Sequence, residues 1–255
     1  MLDLVLNKVL IKKFRNGETM KNLLKAVVPA RAGSKRLKNK NMMNLNGRPL
    51  LFYTIDALIG HDAICEIIFT TDSPDYIEAI NREYGNEVRI ERRPESFARD
   101  TTKVKEELER LQTTGILDSE WFMLCLPTCP LRGFNTVNEV LTKWKSDKIA
   151  RFTACAYDFP TQFSFDIDSE GNWQSTEPLS PMITGNTRSQ DIAVRYRPNG
   201  AIYLQRTNTL QINKTFYIDA RPVLMNSEDS IDVDSERDFK LVEIILDKRR
   251  REKKS

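Results

Sequence analysis

Hydrophobic positions along the chain recur in short blocks whose spacing alternates between strand-like and helix-like. Lys25-Ala26-Val27-Val28-Pro29 is a compact apolar run that predicts a buried strand, and Leu50 to Leu58 repeats its apolar residues at helical intervals. Ile64 to Thr70 is rich in β-branched residues and reads as a second strand. Thr71-Asp72-Ser73-Pro74 then supplies a helix-start signal before a helix over Asp75 to Glu83. The alternation continues through a strand at Val88 to Glu91, a helix at Lys103 to Gln112, a strand at Trp121 to Leu126 and a helix at Asn135 to Lys145. Strands separated by helices of this length make βαβ units, so the pattern predicts an α/β fold: a mostly parallel, Rossmann-like sheet with helices on both faces. In such sheets right-handed crossovers put helices on both faces, and ligands bind beyond the carboxyl ends of the strands.

After Phe152 to Tyr157 the rhythm changes. Residues 158–198 are rich in Pro, Ser, Thr, Asn and Gln, and Gln162-Phe163-Ser164-Phe165-Asp166-Ile167 alternates as an antiparallel strand does. This segment reads as an inserted arm. Sheet character returns at Gly200 to Leu204 and at Ile231 to Val233, and an amphipathic helix runs from Glu236 to about Lys248. Residues 1–19 read as an appendage, with Met20 resembling an ordinary start; 20–157 and 199–255 form the α/β domain and 158–198 the arm. The first residues lack the basic, apolar, small-residue order of a secretory signal.

Composition narrows the chemistry. The 255 residues are 40% hydrophobic and 29% charged, and no apolar run approaches the roughly 20 residues that span a bilayer. A net charge of +3 gives no general reason to expect nucleic acid as a partner. The basic tail from Lys248 to Lys254 has no interleaved aromatic residues and reads as a solvated helix end. A single histidine, His61, excludes mechanisms that need two imidazoles and is expected in a solvated loop, so carboxylates, lysines and arginines must do the work. The four cysteines form no CxxC pair and suit a reducing cytoplasm.

Two segments stand out. Arg31, Lys35, Arg36, Lys38 and Lys40 fall within ten residues after the first strand, around Gly33-Ser34. A basic surface loop is one reading. The other is a triphosphate cradle, in which Gly33 admits close backbone approach and the cations neutralise phosphate oxygens. Neither GxxxxGK[ST] nor GxGxxG is present. In Ser230-Ile231-Asp232-Val233-Asp234 the two carboxylates alternate with apolar residues, so on an extended chain both point to one side. They are either turn carboxylates or a pair of hard oxygen ligands suited to Mg²⁺. Ser235 and Asp238 match a capping box opening the last helix.

Eight segments together resemble the acylneuraminate cytidylyltransferases, the CMP-sialic acid synthetase family. They are Ala30 to Leu37 with Lys40-Asn41, Leu45 to Leu50, Phe69 to Ser73, Arg92 to Glu95, Asp100-Thr101, Pro127 to Arg132, Arg197 to Tyr203 and Ser230 to Asp234, in family order over roughly residues 25–245. The resemblance implies an Mg²⁺-dependent nucleotidyltransferase of the nucleotide-diphospho-sugar transferase fold. It would join CTP to a nine-carbon 2-keto sugar acid, giving a CMP-sugar and pyrophosphate. By motif, Arg31, Gly33, Ser34 and Lys35 would hold the triphosphate, Lys40 and Asn41 would lie against the nucleotide, and Arg93, Asp100 and Thr101 would complete that site. Arg31 and Lys35 would serve catalysis together with Asp232 and Asp234, which would bind Mg²⁺. Asn199, Tyr203, Phe216 and Tyr217 would line the sugar pocket, although the aromatics also suit ordinary core packing. The arm resembles the family's dimerisation element, from which Arg188 would meet the sugar carboxylate of the partner subunit in a homodimer.

Two departures bear on the sugar. Family members that use N-acetylneuraminate usually carry Gln where this chain has Leu126, and Ser where it has Cys129. An alkyl group there favours a methyl-bearing sugar edge over a hydroxyl-bearing one, as in pseudaminic or legionaminic acid. A Kdo-type cytidylyltransferase would need an acidic metal ligand between Leu126 and Pro130, and none is present. A catalytically silent nucleotide-binding module should lack a complete aspartate pair. No general base stands out for the sugar hydroxyl.

Overall fold

The computed structural model describes residues 23–33, 37–99 and 101–252. Its centre is a seven-stranded sheet. β1 (Leu24–Pro29) pairs in parallel with β4 (Ile64–Thr71) on one side and β6 (Trp121–Cys125) on the other, and β5 (Val88–Arg92) extends the β4 side. Beyond β6 come β10 (Tyr196–Arg206), β7 (Ala150–Ala156) and β11 (Ala220–Leu224), giving the order β11-β7-β10-β6-β1-β4-β5. Only β10 runs against its neighbours. From β1 the chain moves outward to β4 and β5, then returns to place β6 on β1's other flank. That reversal opens a crevice at the carboxyl ends of β1 and β6.

The alternation of β1 explains the layers. Leu24, Ala26 and Val28 face a core with α1 (Leu50–Leu58), α2 (Pro74–Tyr84) and α4 (Phe134–Asp147), whereas Val27 faces Leu108 and Leu111 of α3 (Val104–Thr113). Helices therefore cover both faces. A third cluster packs Phe239, Val242 and Ile245 of α6 (Glu236–Glu252) against Leu45, Leu50 and Val233 beside the short hairpin of β2 (Asn44–Leu45) and β3 (Arg48–Pro49). Ser73 caps α2 by accepting from the Tyr76 amide, with Pro74 in the first turn.

Two expectations need correction, and one strand goes unforeseen. Ile231 to Val233 is extended but belongs to no strand; the last sheet strand is β11, which contains Pro222. A proline fits there because β11 is an edge and pairs only with β7. His61 is buried, not solvated, and stacks on Phe134 with ring centroids 3.8 Å apart. Burial lowers its pKa.

The segment read as an arm carries a small hairpin of β8 (Phe165–Ile167) and β9 (Trp173–Ser175), followed by the one-turn helix α5 (Pro181–Thr184). More than half of the exposed large apolar side chains among the described residues fall between Tyr157 and Tyr196. Among the described residues no helix is long and apolar enough to cross a membrane.

Candidate active site

The crevice at the carboxyl ends of β1, β4, β5 and β6 gathers the charged groups. β1 ends at Pro29, and the following loop is tied down at Ala32, whose amide donates to Asp72 Oδ1 at 2.9 Å. Asp72 follows β4, so a carboxylate at the next strand end fixes the basic loop. A Cβ on Gly33 would meet nothing within 4 Å, so space is open there for a ligand. The chain then turns through Asn39, in left-handed conformation with its Oδ1 accepting from Tyr76 Oη, into a short 3-10 turn at Lys40–Met42. Asn41 is 5% exposed, and its Oδ1 has no hydrogen-bond partner. A buried amide oxygen left this way suits a ligand donor.

Arg93 follows β5 and is 8% exposed. Its amide donates to the Thr71 carbonyl at 2.7 Å, and its Nη2 donates to the Thr70 carbonyl at a long 3.4 Å. Nε lies 3.7 Å from Glu107 Oε1 and makes no hydrogen bond. Burial pulls its pKa below that of an ordinary arginine; Glu107 and Asp72 pull the other way, and the charges of Arg110 and Arg31 add to the lowering. Arg92, Arg93, Asp72, Glu95 and Ala98 line a cavity of about 530 Å³. A smaller hollow of about 210 Å³, lined by His61, Phe134 and Lys145, lies at the opposite end of the sheet.

Across the crevice, Val233 donates its amide to the Thr128 carbonyl at 2.7 Å, hooking the Asp232-Val233-Asp234 segment to the loop after β6. Val233 is buried in the α6 cluster, so the aspartates on either side of it turn the other way. Lys40 Nζ donates to Asp234 Oδ1 at 2.8 Å and to the Val233 carbonyl at 2.7 Å. Asp232 sits in a recess that water still reaches. Its carboxyl pKa is raised by burial, and by Asp234 and Asp238, against the Thr128 hydroxyl and Lys40. A carboxylate whose proton affinity is raised partly by a neighbouring carboxylate suits a divalent cation. A pair is what Mg²⁺ takes when substrate phosphate and water complete its shell. No group of three or more His, Cys, Asp or Glu side chains suited to a metal occurs among the described residues. Ser235 and Asp238 form the expected reciprocal cap, with Asp238 Oδ2 accepting from the Ser235 amide at 2.8 Å and Ser235 Oγ from the Asp238 amide at 3.3 Å.

The loop after β6 is braced from beneath. Arg132 is fully buried and donates to the carbonyls of Ala201 at 2.5 Å and Leu126 at 3.2 Å and to Thr54 Oγ1 at 2.6 Å. The register of β10 against β7 shifts between Pro198 and Tyr203, and Gly200 takes φ +76° within that bulge. A Cβ on Gly200 would stand 3.7 Å from Leu126 Cδ1, so the bulge lies directly against Leu126. Burial pushes the Cys129 thiol up to about 12, which keeps it protonated and inert.

The structure brings Arg31, Lys40, Asn41, Arg93, Asp232 and Asp234 to the strand ends around the crevice. Ser34, Lys35 and Asp100 lie outside the described residues, and Thr101 is exposed. Tyr203, Phe216 and Tyr217 form one aromatic cluster: the Tyr203 and Phe216 rings are 5.3 Å apart, and the tyrosine hydroxyls are 3.3 Å apart. Burial raises the Tyr203 pKa. Asn199 turns inward. Its Oδ1 accepts from Thr153 Oγ1 at 2.7 Å and its Nδ2 donates to Ser230 Oγ at 2.9 Å, so its amide clamps the turn before Asp232 to β7. Arg188 is exposed on the arm and pairs with Asp191 at 3.4 Å. Asp72, Thr128 and Arg132 were not singled out by sequence. Their signal lay in the segments Phe69 to Ser73 and Pro127 to Arg132, but their roles depend on partners from other strands.

A cytidylyltransferase family model matches residues 25–118. The chain is 32% identical over 235 residues to a CMP-N,N'-diacetyllegionaminic acid synthase of Legionella pneumophila, covering 87% of this chain and 95% of that protein. It is 30% identical over 248 residues to an N-acylneuraminate cytidylyltransferase of Escherichia coli, covering 92% of this chain but only 54% of that protein, so it spans about half the length of that relative. Among solved structures, a CMP:2-keto-3-deoxy-manno-octonic acid synthetase complexed with CTP matches with a TM-score of 0.65 at 14% identity, covering 89% of this chain and 99% of that one. At that identity the likeness is one of fold.

Proposed function

The chain belongs to the acylneuraminate cytidylyltransferase family, and from that premise we propose that it transfers the cytidylyl group of CTP to a nine-carbon 2-keto sugar acid. The supporting observation is the convergence at one crevice of a pinned basic loop, an under-bonded Arg93, Lys40 and a carboxylate pair. The anomeric hydroxyl oxygen of the sugar bonds to the α-phosphorus as the bond to the bridging oxygen breaks. Pyrophosphate leaves with the electron pair, and the hydroxyl proton passes to solvent. Arg31 with Lys35 and Ser34 from the basic loop would take the charge of the triphosphate, with Gly33 leaving room for it. Arg93 and Asn41 would hold the nucleoside through their unfilled hydrogen bonds, beside Asp100 and Thr101. Asp232 and Asp234 would hold Mg²⁺, which supplies charge neutralisation at the phosphates. Lys40, bonded to Asp234, keeps that carboxylate oriented.

The sugar pocket in this reading lies over Leu126, Tyr203, Phe216 and Tyr217, with Asn199 bracing its floor and Arg188 reaching in from a partner subunit. The apolar arm supports a homodimer, because exposed apolar surface of that extent marks an interface. Leu126 in place of an amide favours a deoxy diamino sugar of the legionaminic or pseudaminic type, and the Legionella relative is named for such a sugar. The free cysteines fit the cytoplasm, where CTP is found.

The test is pyrophosphate release from CTP and Mg²⁺ with N-acetylneuraminic, legionaminic, pseudaminic and Kdo acids. Turnover is expected with a nine-carbon acid, with kcat about 100-fold lower in Asp232→Asn and Asp234→Asn. Release with Kdo alone, or full activity in both variants, would overturn the assignment.

A further inference from the structure

Glu107 is a carboxylate on the core-facing side of α3, beside Leu108 and Leu111, and is 1% exposed. Such a position is tolerated only with close partners. Arg110, one turn later, grips it with both arms of its fork, Nε to Oε2 and Nη2 to Oε1, each at 2.8 Å. Thr70 Oγ1 at the end of β4 donates to Oε1 as well. The second cation is Arg93, whose Nε stands 3.7 Å from the same oxygen, beyond hydrogen-bond reach and with no other partner. One buried carboxylate thus faces two guanidinium groups, and only one of them is fully bonded to it. The other lines the cavity of about 530 Å³.

We propose that Glu107 is a positioning residue for nucleotide binding: it holds Arg93 by charge without consuming its hydrogen bonds, leaving the guanidinium oriented and available to the oxygens of CTP. Arg110 and Thr70 set the grip. By occupying both carboxylate oxygens they stop Glu107 from closing a bidentate pair with Arg93, which would satisfy the cation internally and withdraw it from a ligand. The inference rests on the proposed function and deepens it, since it concerns how the same site acquires an available cation.

Calorimetric titration of the full chain with Mg·CTP, without sugar, tests it together with melting curves. Glu107→Gln keeps the shape and removes the charge, and should weaken CTP binding about tenfold. Glu107→Asp keeps the charge on a shorter stem and should recover part of that loss, which also covers the case in which the glutamine variant does not fold. Arg110→Gln frees a carboxylate oxygen to pair with Arg93, and should weaken CTP binding by more than its melting shift accounts for. Undiminished CTP binding by Glu107→Gln would overturn the inference, as would losses in Glu107→Gln and Arg110→Gln that merely parallel their melting shifts. Failure of the unmodified protein to bind CTP would overturn the functional reading and this inference with it.

Discussion

Lys25, part-buried near the start of β1, and Arg93, buried after the end of β5, are cations at opposite ends of the parallel sheet, on strands separated by β4, and with opposite bonding. Lys25 Nζ has three oxygens close by: Glu66 at 2.8 Å, Asp118 at 2.7 Å and the Ile116 carbonyl at 2.9 Å. Burial works against its charge, yet Asp118 and Glu66 offset this and raise its pKa. Arg93 has one long bond to a carbonyl, an ion pair short of contact and an orphan Nε, and burial wins, lowering its pKa. A buried cation saturated by the protein is scaffold; one left under-bonded beside a cavity is waiting for a ligand. At the amino end of the sheet the protein closes the charge of Lys25 upon itself, and at the carboxyl end it leaves Arg93 under-bonded.

That contrast can be broken most sharply by neutralising each cation in turn. Arg93→Met should weaken CTP binding tenfold or more while leaving the melting temperature unchanged or raised, since an under-bonded buried charge is removed and Glu107 keeps Arg110. Lys25→Met should do the reverse, leaving CTP affinity intact. With Asp118 largely exposed, the loss is about 1–2 kcal/mol, or roughly 2–8 °C of melting temperature. Melting curves and CTP titrations on both variants check the pair.

A smaller effect sharpens the sugar side. Leu126→Gln restores an amide beside the β10 bulge and should shift the ratio of kcat/KM toward N-acetylneuraminate by several-fold, roughly 1 kcal/mol. A ratio that does not move would place the discrimination elsewhere, with the aromatic cluster of Tyr203, Phe216 and Tyr217 the next position to test.

The same difference between local and long-range bonding explains what the chain reveals before it folds. α1 is bounded in the structure as its spacing predicts, at Leu50–Leu58, because its signal is the periodicity of its own residues. The inward turn of Ile231 and Val233, and hence the outward turn of the two aspartates, is equally local and survives even though the segment never joins the sheet. β11 was hidden because Pro222 argues against a strand unless one knows it forms the edge. His61 does lie in a loop, but it reads as solvated until Phe134, far along the chain, closes over it. Glu107 and Arg110 have the spacing of an ordinary surface pair on a helix; that their carboxylate is core-facing and shared with Arg93 follows only from α3 docking on the sheet.

The most direct measurement is calorimetric titration of the unmodified protein with Mg·CTP, repeated on Arg93→Met and Lys25→Met. One CTP per chain, with binding retained in Lys25→Met and weakened at least tenfold in Arg93→Met, is the predicted result. No binding by the unmodified protein, or equal affinity in both variants, would contradict the claim that the under-bonded Arg93 at the carboxyl end of the sheet marks the nucleotide site.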